Sequence, residues 1–195
     1  DFSTGSNGVA DRALANSFAG AKSQIILPTF SQRASHSGVR VLDSLPIAAF
    51  RESTTLASVS VVPDMDGQVR RMPLGTITAD TPRPALSAQI AQRGGTAEQT
   101  FPLDRSIGLS SIPRLSFIAV ERGEFDRARV AGKDILIGAT AVEMGDRYAV
   151  PGYGVIPGVL VQALAAETLI AGVPMETNGL AMLIVALGLC MWIAR

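Results

Sequence analysis

Apolar residues recur at Ala10, Leu14, Phe18 and Ala21, the spacing of one helix face. Ser6 and Asn7 suit the cap of that helix, Asp11 its first turn, and Gly20 its stop. Asp1 to Ser6 reads as the end of a strand entering a polar turn, and Gln24 to Leu27 as a short apolar strand closed by Pro28. The stretch therefore predicts strand–helix–strand, the usual source of a parallel pair. Residues 29–46, with Ser35-His36-Ser37-Gly38, are polar and irregular and predict a long surface loop.

Further on, Ala57, Val59 and Val61 alternate with Ser58 and Ser60, the pattern of a strand with one wetter face. Asp66-Gly67 then separates two such runs, Leu56 to Val62 and Gln68 to Leu74, and predicts a hairpin. Pro82 and Pro84 ahead of Leu86 and Ile90, with Gly94-Gly95 behind, predict a helix. Ile112 to Phe125 predicts a short strand and a short helix ending at Gly123. Ile135-Leu136-Ile137 is a continuous apolar run suited to a buried central strand. Asp146, Arg147 and Gly152-Tyr153-Gly154 fall in a loop before Pro157-Gly158, which opens an almost wholly apolar helix to about Ile170. Strands alternating with helices predict an α/β domain: a mixed, mostly parallel sheet with helices on both faces and one antiparallel hairpin.

The run from Gly179 to Ala194 carries no charge and no proline. A helix over it would be apolar on every side, which suits lipid or a deep core. It would cover only about 24 Å of a membrane roughly 30 Å thick. Trp192 near its end fits an interfacial aromatic belt, and Arg195 favours a cytoplasmic C-terminal side. The expectation is a transmembrane helix, which divides the chain into a domain outside the cytoplasm, residues 1–174, and a linker with the start of a span, residues 175–195. A chain that starts at Asp1 rather than Met is expected to be a fragment or a processed product.

The sequence is 47% hydrophobic and 17% charged, against about 25% charged in ordinary domains, partly because of this tail. Its net charge is zero without a basic block, which argues against nucleic-acid binding. The single cysteine, Cys190, lies in the tail, so disulfides, thiol catalysis and cysteine metal sites are excluded from residues 1–174.

Candidate chemistry is sparse. Asp64-Met65-Asp66-Gly67 resembles part of a calcium loop, but its glycine comes two positions early and no acid closes the site. A hairpin turn is the plainer reading. Arg70 and Arg71 point to opposite faces of a strand, so one could reach an anionic ligand while the other is solvated or ion-paired. His36 is the only histidine, and no Gly-x-Ser-x-Gly elbow accompanies it. Gly138-Ala139-Thr140-Ala141 follows the apolar run 135–137, at a strand edge of the kind where α/β sheets bind ligands, and Asp146 and Arg147 could line the same crevice. No phosphate-binding glycine loop is present, and a tight structural loop is the plainer reading. Tyr153 could stack on a ligand or cover the core edge. The ligand-binding candidates are thus Arg70, Arg71, Thr140, Asp146, Arg147 and Tyr153. No catalytic residue, metal site or cofactor is expected.

Four segments stand in a telling order: Asp1-Phe2-Ser3 before a capped helix, Asp64-x-Asp66-Gly67-x-Val69-Arg70-Arg71-x-Pro73-Leu74, Gly132-Lys133-Asp134-Ile135-Leu136-Ile137-Gly138-Ala139-Thr140-Ala141, and Pro157-Gly158-Val159 opening an apolar helix. Together they resemble the type-two CHASE domain, an extracellular sensory module of bacterial membrane receptors, over most of residues 1–172. Asp134 departs from the pattern, standing where the family often has an apolar or β-branched residue. The resemblance implies a periplasmic domain at the inner membrane, a non-enzymatic part of a receptor whose cytoplasmic output is a kinase, a nucleotide cyclase or a cyclic di-GMP enzyme. It also implies an unknown small-molecule or protein stimulus and membrane lipid around the C-terminal helix. A homodimer is one assembly that would transmit a signal. The alternatives are a membrane-tethered periplasmic enzyme, hydrolase-like and using carboxylates, or a tethered interaction domain.

Overall fold

The computed structural model describes residues 2–34, 40–97, 99–175, 183, 187 and 189–193, with residues 32–34 and 40–42 described for their backbone alone. Helix α1 (Gly8–Ala19) forms where the spacing places it, with the Asn7 side chain accepting the Val9 N–H at 2.9 Å. Asp11 turns back to accept from the Ser6 N–H and hydroxyl. No residue of α1 is buried.

Strand β1 (Ile26–Ala34) runs straight through Pro28 and is longer than predicted. It pairs antiparallel with β2 (Arg40–Ser44) from Phe30 to Ala34. From Ile26 to Thr29 it pairs parallel with β3 (Thr55–Ser58). The expected loop over 29–46 is thus largely a strand pair. Ser35-His36-Ser37-Gly38 lies outside the described residues. Between them, α2 (Ala48–Arg51) buries Phe50, whose ring packs edge-on against Phe2 and Phe18.

The Asp66-Gly67 turn is present: Asp64 accepts from the Gly67 N–H, and Gly67 adopts φ +77°. The predicted hairpin around it does not form. β4 (Arg71–Pro73) pairs instead with β7 (Thr100–Pro102). A hairpin does form in β5 (Gly75–Thr78) and β6 (Thr81–Pro84). Its tip, Ala79-Asp80, holds both residues at positive φ without a glycine. The Asp43 carboxylate of β2 accepts the Ala79 N–H at 2.8 Å, a contact from distant sequence that holds the tip. Helix α3 (Leu86–Ile90) follows directly. Beyond β7, α4 (Phe117–Glu121) ends near Gly123 as predicted, and no strand precedes it from Ile112.

Residues 133–141 form no strand, and Ile135 and Ile137 are 60% and 80% exposed, so the expected buried central strand is absent. The expected loop at 146–154 is instead an antiparallel hairpin of β8 (Arg147–Val150) and β9 (Gly154–Pro157). It feeds α5 (Gly158–Ala171), which buries ten of its fourteen residues.

The α/β character holds, but the mostly parallel sheet does not. Among the described residues four of five strand pairings are antiparallel, in sheets of two or three strands. Short runs closed by local turns make hairpins, and the run that should have extended a parallel sheet finds no partner. The core gathers around α5: Leu160, Val161, Leu164 and Leu169 pack with Val69, Met72, Ala88 and Phe101. Gln162 donates to the Val59 carbonyl at 3.1 Å and ties α5 to the end of β3.

Among the described residues no helix is long and apolar enough to cross a membrane. The expected span lies mostly outside the described residues. Its described residues, 183, 187 and 189–193, are helical and exposed.

Candidate functional site

The turn-forming acids and the strand arginine meet first. Asp64 and Asp66 are brought round by the Gly67 turn, and Arg70 returns over them on the same side. Its Nη1 donates to Asp64 Oδ2 at 2.7 Å and to Asp66 Oδ1 at 2.9 Å, while Nη2 reaches Asp66 Oδ2 at 2.6 Å. This fork holds the exposed Asp66 carboxyl at about 2, below its ordinary value, through the Arg70 hydrogen bonds and then the Gln68 N–H. The three charges neutralise one another in part. The cluster staples the turn that delivers β4 to the core.

Arg71 faces the other way, as strand alternation requires. Its Nε donates to Thr100 Oγ1 and an Nη to the Thr100 carbonyl, both at 3.0 Å, so it bridges β4 to β7. Thr140 is exposed. Asp146 sits over the start of α5, where its carbonyl accepts the Gly158 N–H at 2.9 Å. Gly158 has no room for a Cβ because the Asp146 carboxylate occupies that space. A carboxylate there complements the partial positive charge of a helix N-terminus. Arg147 donates across its hairpin to the Val155 carbonyl at 2.7 Å. Burial, and then Asp146, raises the Tyr148 hydroxyl above its ordinary value.

Tyr153 occupies the hairpin tip and reaches inward. Its hydroxyl lies 2.7 Å from the Ile107 carbonyl and 3.1 Å from that of Asp104. The same loop is tied to α5, for the Asp104 N–H donates to Thr168 Oγ1 at 3.0 Å. Asp104 in turn accepts from the Ser106 N–H and hydroxyl, which lower its carboxyl. Arg93, beyond α3, makes a longer contact, 3.4 Å, to the Leu169 carbonyl. The Arg93 side chain and the Asp104 N–H, whose loop Tyr153 braces, thus meet the C-terminal turn of α5, just before Gly172 and its positive φ of 107°.

The six predicted residues are not gathered around one cavity. Asp146, Arg147 and Tyr153 share the hairpin ahead of α5, and Arg70 and Arg71 lie on opposite faces at β4. A cleft of about 410 Å³ opens elsewhere, lined by Gln24, Ile26, Gln89, Gln92, Arg93 and Asp134 among others. Sequence reasoning missed Thr168 and Arg93, which sit in a helix and a loop with no motif around them. Gln92, beside Arg93, holds φ +52°, a conformation no sequence signal marks for glutamine. Among the described residues no group of three or more His, Cys, Asp or Glu could hold a metal ion.

The family model described as CHASE2 domain matches residues 1–194. No curated protein and no solved structure matches the chain. The matched family is a sensory one found in receptors, where its members are typically extracellular or periplasmic and are sensors rather than catalysts.

Proposed function

The chain belongs to the CHASE2 domain family, and from that premise we propose that residues 1–174 form the periplasmic sensor of an inner-membrane receptor and residues 175–195 lead into a transmembrane helix. The stimulus is a small molecule or protein. The response passes to a cytoplasmic kinase, cyclase or cyclic di-GMP enzyme. One observation carries the reading: α5, the most buried helix, is held at its last turn by Thr168 and Leu169 and leads through Gly172 and Pro174 toward the apolar tail. A helix with ten of its fourteen residues buried moves as a body, because close-packed interiors deform little. Displacing the 104–107 loop or Arg93 would shift the point where the tail begins. A stimulus drives that shift only by binding the two arrangements with different affinity.

Carboxylate catalysis finds less support. Asp64 and Asp66 converge, but on an arginine, and Asp66 is pushed down rather than up. A general acid needs a raised carboxyl.

The test is topology in cells. In the full-length receptor with Cys190→Ser, Ser106→Cys places a lone thiol of residues 1–195 on the exposed 104–107 loop. A membrane-impermeant maleimide is expected to label it in intact cells with the outer membrane permeabilised. Labelling only after inner-membrane lysis would reject the periplasmic assignment.

A further inference from the structure

The cleft of about 410 Å³ is built from three separated stretches of chain: Gln24 and Ile26 at the entry to β1, Gln89, Gln92 and Arg93 at the end of α3, and Asp134. Its volume lies within the roughly 300–1,000 Å³ of small-molecule sites. The α3 bank is held in place. The Arg93 N–H donates to the Ala88 carbonyl at 2.9 Å and the Gln92 N–H to that of Gln89 at 3.1 Å, the paired bonds that close a helix through a left-handed residue. Glycine is the usual occupant of that position, yet Gln92 holds it at φ +52°. A side chain is kept there against the preference of the backbone, and it lines the cleft. Just beyond, Gly95 packs on the Leu74 backbone with no room for a Cβ, which anchors the turn from its far side.

The polar groups of the cleft are largely unpaired. Among the described residues Asp134 makes no hydrogen bond or ion pair, and the Gln89 and Gln92 carboxamides make no hydrogen bond. Of the Arg93 guanidinium only Nη2 has a partner there, the Leu169 carbonyl at 3.4 Å. The guanidinium and the carboxylate that line the cleft are thus not paired with each other. A lone anion would meet repulsion from Asp134, a lone cation would meet it from Arg93, and a neutral molecule would satisfy neither. We infer that the cleft binds a small zwitterion, the class of free amino acids and dipeptides, with its carboxylate on Arg93 and its ammonium on Asp134. A guanidinium presents parallel N–H donors to a carboxylate, and an ammonium has three N–H groups to donate. The Asp134 carboxylate takes one of them, and the carboxamide oxygens of Gln89 and Gln92 are acceptors for the others. Gln24 already donates from Nε2 to Thr55 Oγ1 at 3.0 Å, which leaves its oxygen as a further acceptor.

Both charged banks touch α5, at opposite ends. Arg93 reaches Leu169 in its last turn. Gly138, in the same run as Asp134, lies against Val159 in its first turn so closely that a Cβ would strike it. A molecule bridging Arg93 and Asp134 therefore bears on both ends of the helix that leads to the tail. As a stimulus site the cleft rests on the sensor reading; as a binding site it does not.

Isothermal titration calorimetry on the full-length protein in detergent micelles tests it, with each proteinogenic L-amino acid and L-alanyl-L-alanine as separate titrants. At least one is expected to bind with a Kd below about 1 mM, and its N-acetyl and carboxamide analogues at least about tenfold more weakly. Whether the amino acids or the dipeptide bind identifies the spacing between the two charges. Asp134→Asn is expected to weaken the zwitterion at least about fivefold and to bring it close to the N-acetyl analogue, which has no ammonium to lose. Arg93→Gln is expected to do the same relative to the carboxamide analogue. Asp134 is exposed and unpartnered among the described residues, so Asp134→Asn leaves the fold intact even if Arg93→Gln disturbs the end of α5. No titrant below about 1 mM, analogues as tight as the parent, or a loss under about fivefold in Asp134→Asn would each overturn the assignment. None of these results touches the topology test, and labelling only after inner-membrane lysis would reject the periplasmic sensor while leaving the binding in place.

Discussion

Helix α5 and the 134–140 run both read as apolar in the sequence, yet their surroundings are opposite. In α5 the backbone pairs with itself along the helix, Gly158 at its start donates to the Asp146 carbonyl, and its side chains meet β4, β7 and α3. In 134–140 the isoleucines face outward and the backbone has no hydrogen-bond partner among the described residues. Apolar content alone therefore does not decide burial. A helix pairs its own backbone and needs only a surface, whereas a strand needs a neighbour before its side chains can be covered.

The comparison can be broken most forcefully at Leu164, which is fully buried. Leu164→Ala is expected to cost about 3 kcal/mol of stability, within the 2–5 range for such truncations. Ile137→Ala in the 1–195 chain is expected to change it by less than about 0.5 kcal/mol. Urea unfolding of the two variants checks both values, and equal losses would mean that 134–140 is covered after all. A smaller effect is expected where the regions touch. Gly138→Val drives a side chain into Val159 and is expected to cost about 1–3 kcal/mol, with partial recovery when Val159→Ala is added. Next comes Tyr153→Phe, which leaves the Ile107 carbonyl without its donor and is expected to cost about 1 kcal/mol in the same assay.

The smallest effect belongs to the exposed Arg70 cluster. Asp66 is held at about 2 by Arg70, below its ordinary value. Its contribution is therefore complete above the unfolded value of about 4 and is lost as pH falls from there toward about 2. A carboxyl NMR titration should give a midpoint near 2. Arg70→Ala is expected to return it toward the ordinary range without moving the titration of Asp104, whose partner is Ser106.

Much of the local structure was legible in the sequence. The α1 boundaries followed from Asn7 and Gly20, the turn from Asp66-Gly67, and α5 from Pro157-Gly158 and its apolar run. Pairing was less so. β5–β6 turns through Ala79-Asp80, which lack the glycine that marks such a tip, because Asp43 holds the turn from another strand. The strands flanking Asp66-Gly67 part because β4 finds a better partner in β7. Of the ligand-binding candidates, Arg70, Arg71, Arg147 and Tyr153 have partners within the chain. Those partners are mostly backbone carbonyls and threonine, which no spacing rule exposes.

The lone thiol has a practical consequence. Cys190 is exposed and is the single cysteine of the sequence, on the far side of Gly172 from the folded core. Any sulfhydryl-directed spin label, fluorophore or crosslinker applied to this chain therefore reports from the apolar tail and nowhere else, without prior mutagenesis. The wild-type sequence carries its own gauge of how that tail is oriented and what environment it meets.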